Sequence, residues 1–335
     1  MDNPILTIVV PCYNEEAVLY ESAQQLTDAI FSLMKEGLVS PKSRILFVDD
    51  GSRDQTWPMI EEIAKKNRLV KGLKLSRNFG HQKALLAGLE AARDESDCVI
   101  TIDADLQDDI TVMREFVQKY QDGCDIVYGV RKSREKDTFF KRATAQGYYR
   151  IMKRLGADLV YNHADYRLMS KRALDELSRF TEQNLFLRGV VTLIGFKTAK
   201  VYYDRKERTA GETKYPLKKM LAFAFDGITS FSVIPIRLIT LIGLFTFLSS
   251  SIAGIYALYA KFFGHADEGW TSIIISIWLL GGFMLTSMGL IGEYIGKIYQ
   301  EAKQRPRYTV EQDALQEPAG QQVLRTSRDI AKRIN

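Results

Sequence analysis

Strand-like and helix-like segments alternate through the first half of the chain, and this alternation limits the choice of fold more than any other feature. Five short β-branched runs are separated by stretches of helical periodicity. The runs are Ile5–Val10, Arg44–Val48, Val70–Leu75, Cys98–Ile102 and Asp125–Tyr128, and the helical stretches are Ala17–Lys35, Trp57–Lys66, Gln82–Arg93 and Ile110–Tyr120. This pattern predicts an α/β fold with a mostly parallel sheet covered by helices.

Four of the five predicted strands lead directly into polar clusters. The clusters are Pro11–Glu15, Asp49–Ser52, Ser76–Asn78 and Asp103–Asp105. Open α/β sheets bind their ligands at the carboxyl ends of the strands, so we expect these clusters to form one site. No glycine-rich phosphate-binding fingerprint follows the first strand, which argues against a dinucleotide or P-loop site.

Two runs without a charged residue, at 238–260 and 269–292, set the second half apart. Each is long enough to cross a hydrocarbon core of about 30 Å at about 1.5 Å per residue. Basic residues flank the pair on both sides, whereas the connector Lys261–Glu268 holds one lysine against two acids. The positive-inside rule therefore places both flanks in the cytoplasm and the connector outside. We expect a multi-pass protein of the inner (plasma) membrane with both termini cytoplasmic.

This organisation predicts four parts of the chain. They are a cytoplasmic α/β domain at 1–215, an amphipathic juxtamembrane segment at 216–232, a two-helix membrane domain at 233–298 and a polar cytoplasmic tail at 299–335. Within them we expect a mobile loop at 131–142, a further strand within 198–207, and loose order from Gln304 onward.

Charge and cysteine content exclude some classes of function. The formal net charge of +5 is too small to indicate nucleic-acid binding. Cys12, Cys98 and Cys124 show neither metal-ligand spacing nor a disulfide framework. The N-terminus has no basic region, and its apolar stretch is too short for a signal peptide, so we expect the α/β domain to stay in the cytoplasm.

Paired acids supply the clearest chemical signal. Asp103 and Asp105 follow a buried strand, where two carboxylates can share a divalent ion and the diphosphate that it bridges. A carboxylate of the Asp49–Ser52 cluster can accept a hydrogen bond from a base or ribose, although the same residues also suit a capped helix start. The histidines His81, His163 and His265 are assigned structural roles.

Several motifs taken together resemble the family 2 glycosyltransferases with the GT-A fold. They are Pro11-Cys12-Tyr13-Asn14-Glu15, Val48-Asp49-Asp50-Gly51-Ser52, Asn78-Phe79-Gly80 and Asp103-Ala104-Asp105-Leu106-Gln107. The resemblance is to the dolichol-phosphate mannose synthase-like, polyprenyl-phosphate group, including bactoprenol glucosyltransferases with two C-terminal membrane helices. His163–Leu168 resembles the acceptor-site motif of that group, and Arg208–Tyr215 resembles its glycine–lysine–tyrosine motif. Asp108-Asp109 departs from a proline pair found in many relatives, and we expect this to change a turn only.

The resemblance implies a role for each matching residue. It implies that Asp165 is the candidate catalytic base, that Gln107 lies close to the donor sugar, and that a Mg²⁺ or Mn²⁺ ion with the diphosphate is held by Asp103 and Asp105. The nucleoside would be held by Pro11, Tyr13, Glu15 and Asp50. Phosphates would be faced by the cations Arg131, Arg208 and Lys214, with Tyr215 beside them. A separate argument supports these cations: sugar transfer from a diphosphate to a phosphate gathers several negative charges in one cleft, and cations stabilise them.

The implied reaction is an inverting, metal-dependent sugar transfer from a nucleotide-sugar to a polyisoprenyl (undecaprenyl) phosphate. UDP-glucose is the first choice of donor and UDP-N-acetylglucosamine the second. We also expect a homo-oligomer, with a tetramer as one option. Two alternatives stay open: a processive polysaccharide synthase, disfavoured because no tryptophan follows an arginine here, and a non-catalytic membrane scaffold, disfavoured by Asp103, Asp105, Asp165 and Lys214 together.

Overall fold

The chain forms two units, which are described separately below. The computed structural model describes residues 3–132, 163–183, 187–204 and 269–313, together with 236, 239–246, 248–249, 252, 255 and 259. The first unit comprises Met1–Gln146, Asp158–Lys214 and Pro306–Asn335, and the second comprises Gly147–Ala157 and Tyr215–Arg305.

The first unit is an α/β domain. Its strands are β1 (Leu6–Cys12), β2 (Arg44–Asp49), β3 (Val70–Leu75), β4 (Cys98–Thr101), β5 (Ile126–Arg131), β6 (His163–Ser170), β7 (Thr198–Tyr203) and β8 (Val310–Asp313). Its helices are α1 (Leu19–Lys35), α2 (Thr56–Lys66), α3 (His81–Arg93), α4 (Met113–Gln121), α5 (Lys171–Ser178) and α6 (Leu187–Leu193), and a 3₁₀ turn at Ile110–Val112 precedes α4.

One eight-stranded sheet runs through the α/β unit in the order β7-β5-β6-β4-β1-β2-β3-β8. The pairs β1/β2, β1/β4, β2/β3 and β5/β7 are parallel, whereas β6 and β8 run antiparallel to their neighbours. The chain winds from β1 to β3 on one side and then crosses to β4 on the other side of β1. This reversal between β1 and β4 is the topological switch point where such sheets bind ligands.

Burial of both sheet faces explains why these sequences form strands. Every residue of β1 is buried, as expected of a central parallel strand covered by helices. Helix α1 buries one apolar stripe that includes Leu19, Leu26 and Ile30. Helix α3 comes unusually close to the sheet at Gly88, because a Cβ there would lie 2.4 Å from Val9 Cγ1. That close approach fixes the distance between α3 and the sheet. The first residue of α3 lies at the switch point.

The α/β expectation is confirmed in its main elements. All five predicted strands and all four predicted helices are present, with ends that differ by three residues at most, and the further strand within 198–207 is β7. Arg131, expected at the start of a mobile loop, is instead the last residue of β5. The rest of the expected loop, and the expected amphipathic segment 216–232, lie outside the described residues.

The expectation of a loosely ordered tail is wrong for the residues just after Arg305. Val310–Asp313 forms β8, which pairs antiparallel with β3 and occupies one edge of the sheet. This strand has a weak sequence signal because only one of its four residues, Val310, is apolar. Its stability comes from pairing with β3 and from the side chains just before it, and such tertiary contacts leave no local pattern.

The second unit contains a long helix, α7 (Trp270–Ala302). It begins one residue after the start of the second charge-free run and continues ten residues past Gly292, the end of that run. Within the described residues, one helical stretch, Leu279–Ala302, is long and apolar enough to cross a membrane, by length and composition alone. The first charge-free run lies largely outside the described residues, although 239–246 within it is helical.

Candidate functional site

The switch point brings together two carboxylates that are far apart in sequence. Thr101, the last residue of β4, pairs with Arg167 of the antiparallel strand β6. Asp103 lies two residues after Thr101, and Asp165 lies two residues before Arg167. The antiparallel register therefore places the two acids at the same edge of the sheet, and the Thr101 hydroxyl donates to the Asp165 carbonyl there.

His81 lies between these two carboxylates. Its Nε2 atom is 3.7 Å from Asp103 Oδ1 and 3.5 Å from Asp165 Oδ2. Burial opposes a charge on the imidazole, but the contact with Asp165 and the charge of Asp103 together raise the pKa of His81 above its ordinary value. His81 is the first residue of α3, so its position depends on the loop that joins β3 to α3. The purely structural role assigned to His81 from sequence therefore misses its contacts with two carboxylates of the candidate site.

Asp165 is surrounded by cations. Arg188 Nε is 3.1 Å from its Oδ1, Arg188 Nη2 is 2.9 Å from its Oδ2, and Arg167 Nη2 is 2.8 Å from its Oδ1. Burial would favour the neutral acid, but Arg188, His81 and Arg167 outweigh it and hold the pKa of Asp165 well below its usual range. A carboxylate with a depressed pKa is a poor proton acceptor near neutral pH. This geometry fits a positioning role for Asp165 better than the role of general base.

Arg167 is a charged side chain with 1% of its surface exposed. Alternation along β6 puts it on the same sheet face as Asp165, while Tyr166 packs on the other face against Phe116 and Tyr203. Burial lowers the pKa of Arg167, and the charge of Asp165 opposes that shift. Among the described residues, its Nε and Nη1 have no hydrogen-bond partner, so Asp165 is the anion that stabilises it.

Asp50 holds the loop between β3 and α3. Its Oδ1 accepts from Phe79 N at 2.7 Å and its Oδ2 accepts from Gly80 N at 2.9 Å. The residue is 2% exposed, and burial raises its pKa although the two amides favour the ionised form. Gly51 permits this arrangement: its φ is +65°, and a Cβ would lie 2.4 Å from the carbonyl carbon of Arg77. Asp50 therefore shapes the candidate nucleoside side of the site by fixing this loop.

The loop after β1 is joined to the turn after β2. Asn14, at a left-handed φ of 53°, receives a bond from Arg53 N at 2.9 Å through its side chain and donates its own N–H to Ser52 Oγ at 3.0 Å. Glu15 N donates to Thr56 Oγ1 at 2.9 Å. Pro11 is buried at the end of β1, while Tyr13 and Glu15 are partly exposed. The structure thus joins the loop that holds Tyr13 and Glu15 to the turn that follows Asp50, and the binding of a nucleoside by Pro11, Tyr13, Glu15 and Asp50 stays a prediction.

The donor atoms at Asp103 and Asp105 suit a divalent cation that also binds a ligand. Asp103 keeps 40% of its side chain exposed, and burial together with the charges of Asp165, Asp108 and Asp105 raises its pKa, against the opposing effect of His81. Excess negative charge of this kind is relieved by a cation. No group of three or more His, Cys, Asp or Glu side chains with metal-ligand geometry occurs in the described ranges. Two carboxylates fit an ion such as Mg²⁺, which takes its other ligands from phosphate and water.

The chain between these carboxylates and the 3₁₀ turn is tightly held. Leu106 adopts a left-handed φ of 46°, and Gln107 N lies 3.3 Å from Asp105 Oδ1. The Ser22 hydroxyl donates to the carbonyl of Ala104, which ties this loop to α1. The Gln107 residue is 5% exposed. A strained, anchored loop of this kind is typical of a preorganised ligand site.

Arg131 is already bonded to an acid. Its Nη2 is 3.1 Å from Asp108 Oδ1, and the Tyr203 hydroxyl donates to the same oxygen at 2.7 Å. The charge of Asp108 raises the pKa of Arg131 against the effect of burial. Asp108, assigned only a turn from sequence, therefore fixes Arg131 at the edge of the site.

Three predicted site residues, Arg208, Lys214 and Tyr215, lie outside the described residues. Sequence reasoning missed two others that the structure places at the site, His81 and Arg188. His81 directly follows the Asn78-Phe79-Gly80 motif, and that adjacency was an available signal. Arg188 has no such signal, since α6 reaches Asp165 only through tertiary packing in which Leu187 N donates to Gln82 Oε1 at 3.1 Å.

Sequence comparisons assign the chain to a family of transferases. The family model described as glycosyl transferase family 2 matches residues 7–178. The chain is similar to the uncharacterized glycosyltransferase YkoT of Bacillus subtilis, with 61% identity over 94% of this chain and 93% of that protein. It is also similar to the prophage bactoprenol glucosyl transferase homolog of Escherichia coli, with 38% identity over 91% of this chain and 98% of that protein.

Two further likenesses are weaker. The bactoprenol glucosyl transferase of Shigella phage SfV is 37% identical over 92% of this chain and 98% of its own length. The crystal structure of mannosyl-3-phosphoglycerate synthase from Rubrobacter xylanophilus matches with a TM-score of 0.47 and 17% identity, covering 67% of this chain and 71% of that one. That structural likeness is partial, and the sequence relatives are what assign the family.

Proposed function

The chain belongs to glycosyl transferase family 2 and is a glycosyltransferase, and from this premise we propose that it transfers a sugar from a nucleotide-sugar to a polyisoprenyl phosphate. The donor is UDP-glucose, with UDP-N-acetylglucosamine as second choice, and the acceptor is undecaprenyl phosphate. The names of the Escherichia coli and phage relatives support a bactoprenol acceptor and a glucosyl group. The observation that carries the proposal is the meeting of Asp103, His81 and Asp165 at the sheet's switch point.

The donor occupies the β1–β2–β3 side of the site in this proposal. Pro11, Tyr13 and Glu15 line the nucleoside, and Asp50 keeps the adjoining loop in place through Phe79 and Gly80. Asp103 and Asp105 would hold a Mg²⁺ or Mn²⁺ ion, which when bound neutralises charge on the departing nucleoside diphosphate. Gln107 lies two residues beyond Asp105, on the sugar side of this loop.

The reaction is a single displacement with inversion. An acceptor phosphate oxygen forms a bond to the anomeric carbon of the sugar as the bond from that carbon to the diphosphate oxygen breaks. A phosphate monoester has a second pKa of about 6, so it is largely ionised near neutral pH and needs orientation more than deprotonation. Asp165 meets this need by holding Arg188 and His81 toward the reacting groups. Arg131, Arg208 and Lys214, with Tyr215, supply further contacts to phosphates.

The membrane is the natural place for such an acceptor, because a polyisoprenyl tail stays in the bilayer. We propose two spans, at 238–260 and 269–292, with the catalytic domain and both termini in the cytoplasm and the connector outside. The apolar helix α7 supports one of these spans. The domain limits 1–215, 216–232, 233–298 and 299–335, and assembly as a homo-oligomer through the membrane helices, belong to the same proposal. Lys214 would contact a reacting phosphate, whereas Lys218 and Lys219 would dock the domain to anionic lipid.

Release of nucleoside diphosphate tests the proposed reaction. The full-length protein is supplied with a panel of nucleotide-sugars, with and without undecaprenyl phosphate and with and without Mg²⁺ or Mn²⁺. We expect release only when donor, lipid phosphate and metal are all present. Equal release of nucleoside diphosphate with and without the lipid phosphate would contradict the acceptor assignment. No release with any donor would favour a non-catalytic scaffold.

A further inference from the structure

A short segment after α7 belongs to the α/β unit and contacts it at β3, at α3 and at Phe180 just after α5. This segment, which we name the C-terminal strap, comprises residues 306–313 and ends in β8. Along β3, Leu73 pairs with Asp313 and Leu75 pairs with Val310. One residue beyond the end of β3, Ser76 N donates to Thr309 O at 3.0 Å. The strap therefore holds the carboxyl end of β3, which faces the candidate site.

The strap also holds α3. Arg307 Nη2 is 2.6 Å from Glu90 Oε1, and the Tyr308 hydroxyl donates to the other oxygen of the same carboxylate. Arg307 Nη1 donates to Phe180 O at 2.9 Å, which ties the strap to the end of α5 as well. Arg307 and Glu90 keep only 16% and 26% of their side chains exposed. Charge-assisted bonds that are partly shielded from water are stronger than ion pairs on an open surface.

Two of the elements that the strap contacts, β3 and α3, are joined by one short loop. Residues 76–80 connect β3 to α3, and their Phe79 and Gly80 amides are the ones that bond Asp50. The next residue is His81, which contacts Asp103 and Asp165. The strap adds contacts to β3 and α3 beyond those that the sheet already makes, and these contacts further restrict the motion of both ends of the loop.

We propose that Arg307 and Tyr308 are positioning residues for nucleotide binding, acting through Glu90 and β8 on the loop 76–80. The identity of the ligand, a nucleoside diphosphate, rests on the proposed function. The link from the strap to the loop 76–80 does not. The strap follows α7 by only a few residues, so the nucleotide side of the site is completed by a segment that comes after the membrane helix in the chain. A catalytic domain that ends before the strap lacks this support.

Paired variants of the full-length protein test the link. Arg307→Ala combined with Tyr308→Phe removes the strap's side-chain bonds to Glu90. Glu311→Gln is the matched control, because it removes an ion pair with Lys74 between the same two strands without touching Glu90 or the loop. A second pair consists of truncation after Asp313, which keeps the strap, and truncation after Arg305, which removes it. UDP with Mn²⁺ is the probe for binding.

Two readouts separate positioning from general stabilisation. We expect the Arg307/Tyr308 variant and the shorter truncation to bind UDP about tenfold more weakly, as the loss of charge-assisted bonds implies. We also expect faster hydrogen exchange at the Phe79 and Gly80 amides, well below the unfolding temperature. The Glu311→Gln variant and the longer truncation should behave as the wild type. Unchanged UDP affinity and unchanged exchange at Phe79 and Gly80 would overturn the inference.

Failure of the proposed function gives a different result. If the wild type does not bind UDP or any other nucleoside diphosphate, the ligand assignment fails, and hydrogen exchange at Phe79 and Gly80 still decides whether the strap fixes the loop. If the variants unfold, the two truncations are compared at a temperature where both are folded. A loss of exchange protection that spreads evenly over β3 and α3 would show a purely stabilising strap and overturn the positioning role.

Discussion

Arg188 binds both carboxylate oxygens of Asp165, with Nε 3.1 Å from Oδ1 and Nη2 2.9 Å from Oδ2. Arg167 adds a third bond, and the pKa of Asp165 lies well below its usual range as a result. The acid that the acceptor motif marks as a candidate base is thus a charged anchor for cations. In the proposed reaction this arrangement orients phosphates, and the acceptor phosphate is already ionised near neutral pH.

A double-mutant cycle tests whether Asp165 holds cations in place or acts as the catalytic base. We expect Arg188→Ala and Asp165→Ala each to reduce turnover by about a hundredfold, as does the loss of one group that stabilises charge in a transition state. The double variant should lose little more than either single variant, because the two residues act as a unit. If Asp165 were the base, loss of Arg188 would raise its pKa and improve it as a proton acceptor. Turnover retained in Arg188→Ala but lost in Asp165→Ala would therefore contradict the anchor role.

Metal binding should depend on the paired acids after β4. We expect Asp105→Ala to abolish transfer and leave the unfolding temperature near that of the wild type, with Asp103→Ala behaving much the same. Asp94→Ala is the matched control, since that aspartate is 75% exposed at the far end of α3. Turnover is measured with Mg²⁺ and with Mn²⁺. Near-normal rates in either site variant would show that the metal assignment is wrong.

Two glycines with similar backbone angles should respond very differently to alanine. Gly37 and Gly51 have φ values of +70° and +65°, so both substitutions incur the strain of a left-handed backbone, about 1 kcal/mol. At Gly37 the nearest atom to a new Cβ is 3.9 Å away, whereas at Gly51 it is backbone at 2.4 Å. We expect Gly51→Ala to lower the unfolding free energy by at least about 2 kcal/mol more than Gly37→Ala. It should also weaken nucleotide binding, which Gly37→Ala should not.

Cysteine labelling tests the proposed topology. The three native cysteines are buried and should not react with a membrane-impermeant reagent in intact cells. We expect His265→Cys to label from outside, because it lies in the connector between the proposed spans. Gln316→Cys and Gln321→Cys in the tail should label only after the membrane is permeabilised. The reverse pattern would place the site on the wrong side for cytoplasmic nucleotide-sugars.

Most of the parallel part of the fold was predictable because four of its strands, β1 to β4, are local β-branched or apolar runs that lead directly into polar clusters. The antiparallel strands were not. In β6, the charged residues Asp165 and Arg167 lie in a motif that predicted a functional site instead of a strand. The two residues form an ion pair, and this pairing offsets part of the cost of burying their charges. In β8, only Val310 is apolar and the strand depends on partners more than two hundred residues away.

The candidate site was predictable where its residues follow strands of the parallel sheet, as Asp50, Asp103 and Asp105 do. Their positions in the sequence did not reveal the hydrogen-bond partners of their side chains. Asp50 was expected to bind a nucleoside, yet its carboxylate accepts two loop amides. Arg188 and His81 reach Asp165 from two different helices, α6 and α3, and only the three-dimensional fold brings these groups together.

The identity of the lipid product is the sharpest test of the proposed sugar transfer. Full-length protein in membranes or detergent is given UDP-glucose labelled in the sugar, undecaprenyl phosphate and Mn²⁺, and the organic phase is analysed by mass and by the anomeric configuration of the linkage. We predict a labelled glucosyl phosphoryl lipid with the anomeric centre inverted relative to the donor, and no such product with Asp105→Ala. A lipid product of retained configuration, or label that stays in the aqueous phase with every nucleotide-sugar offered, would contradict this prediction.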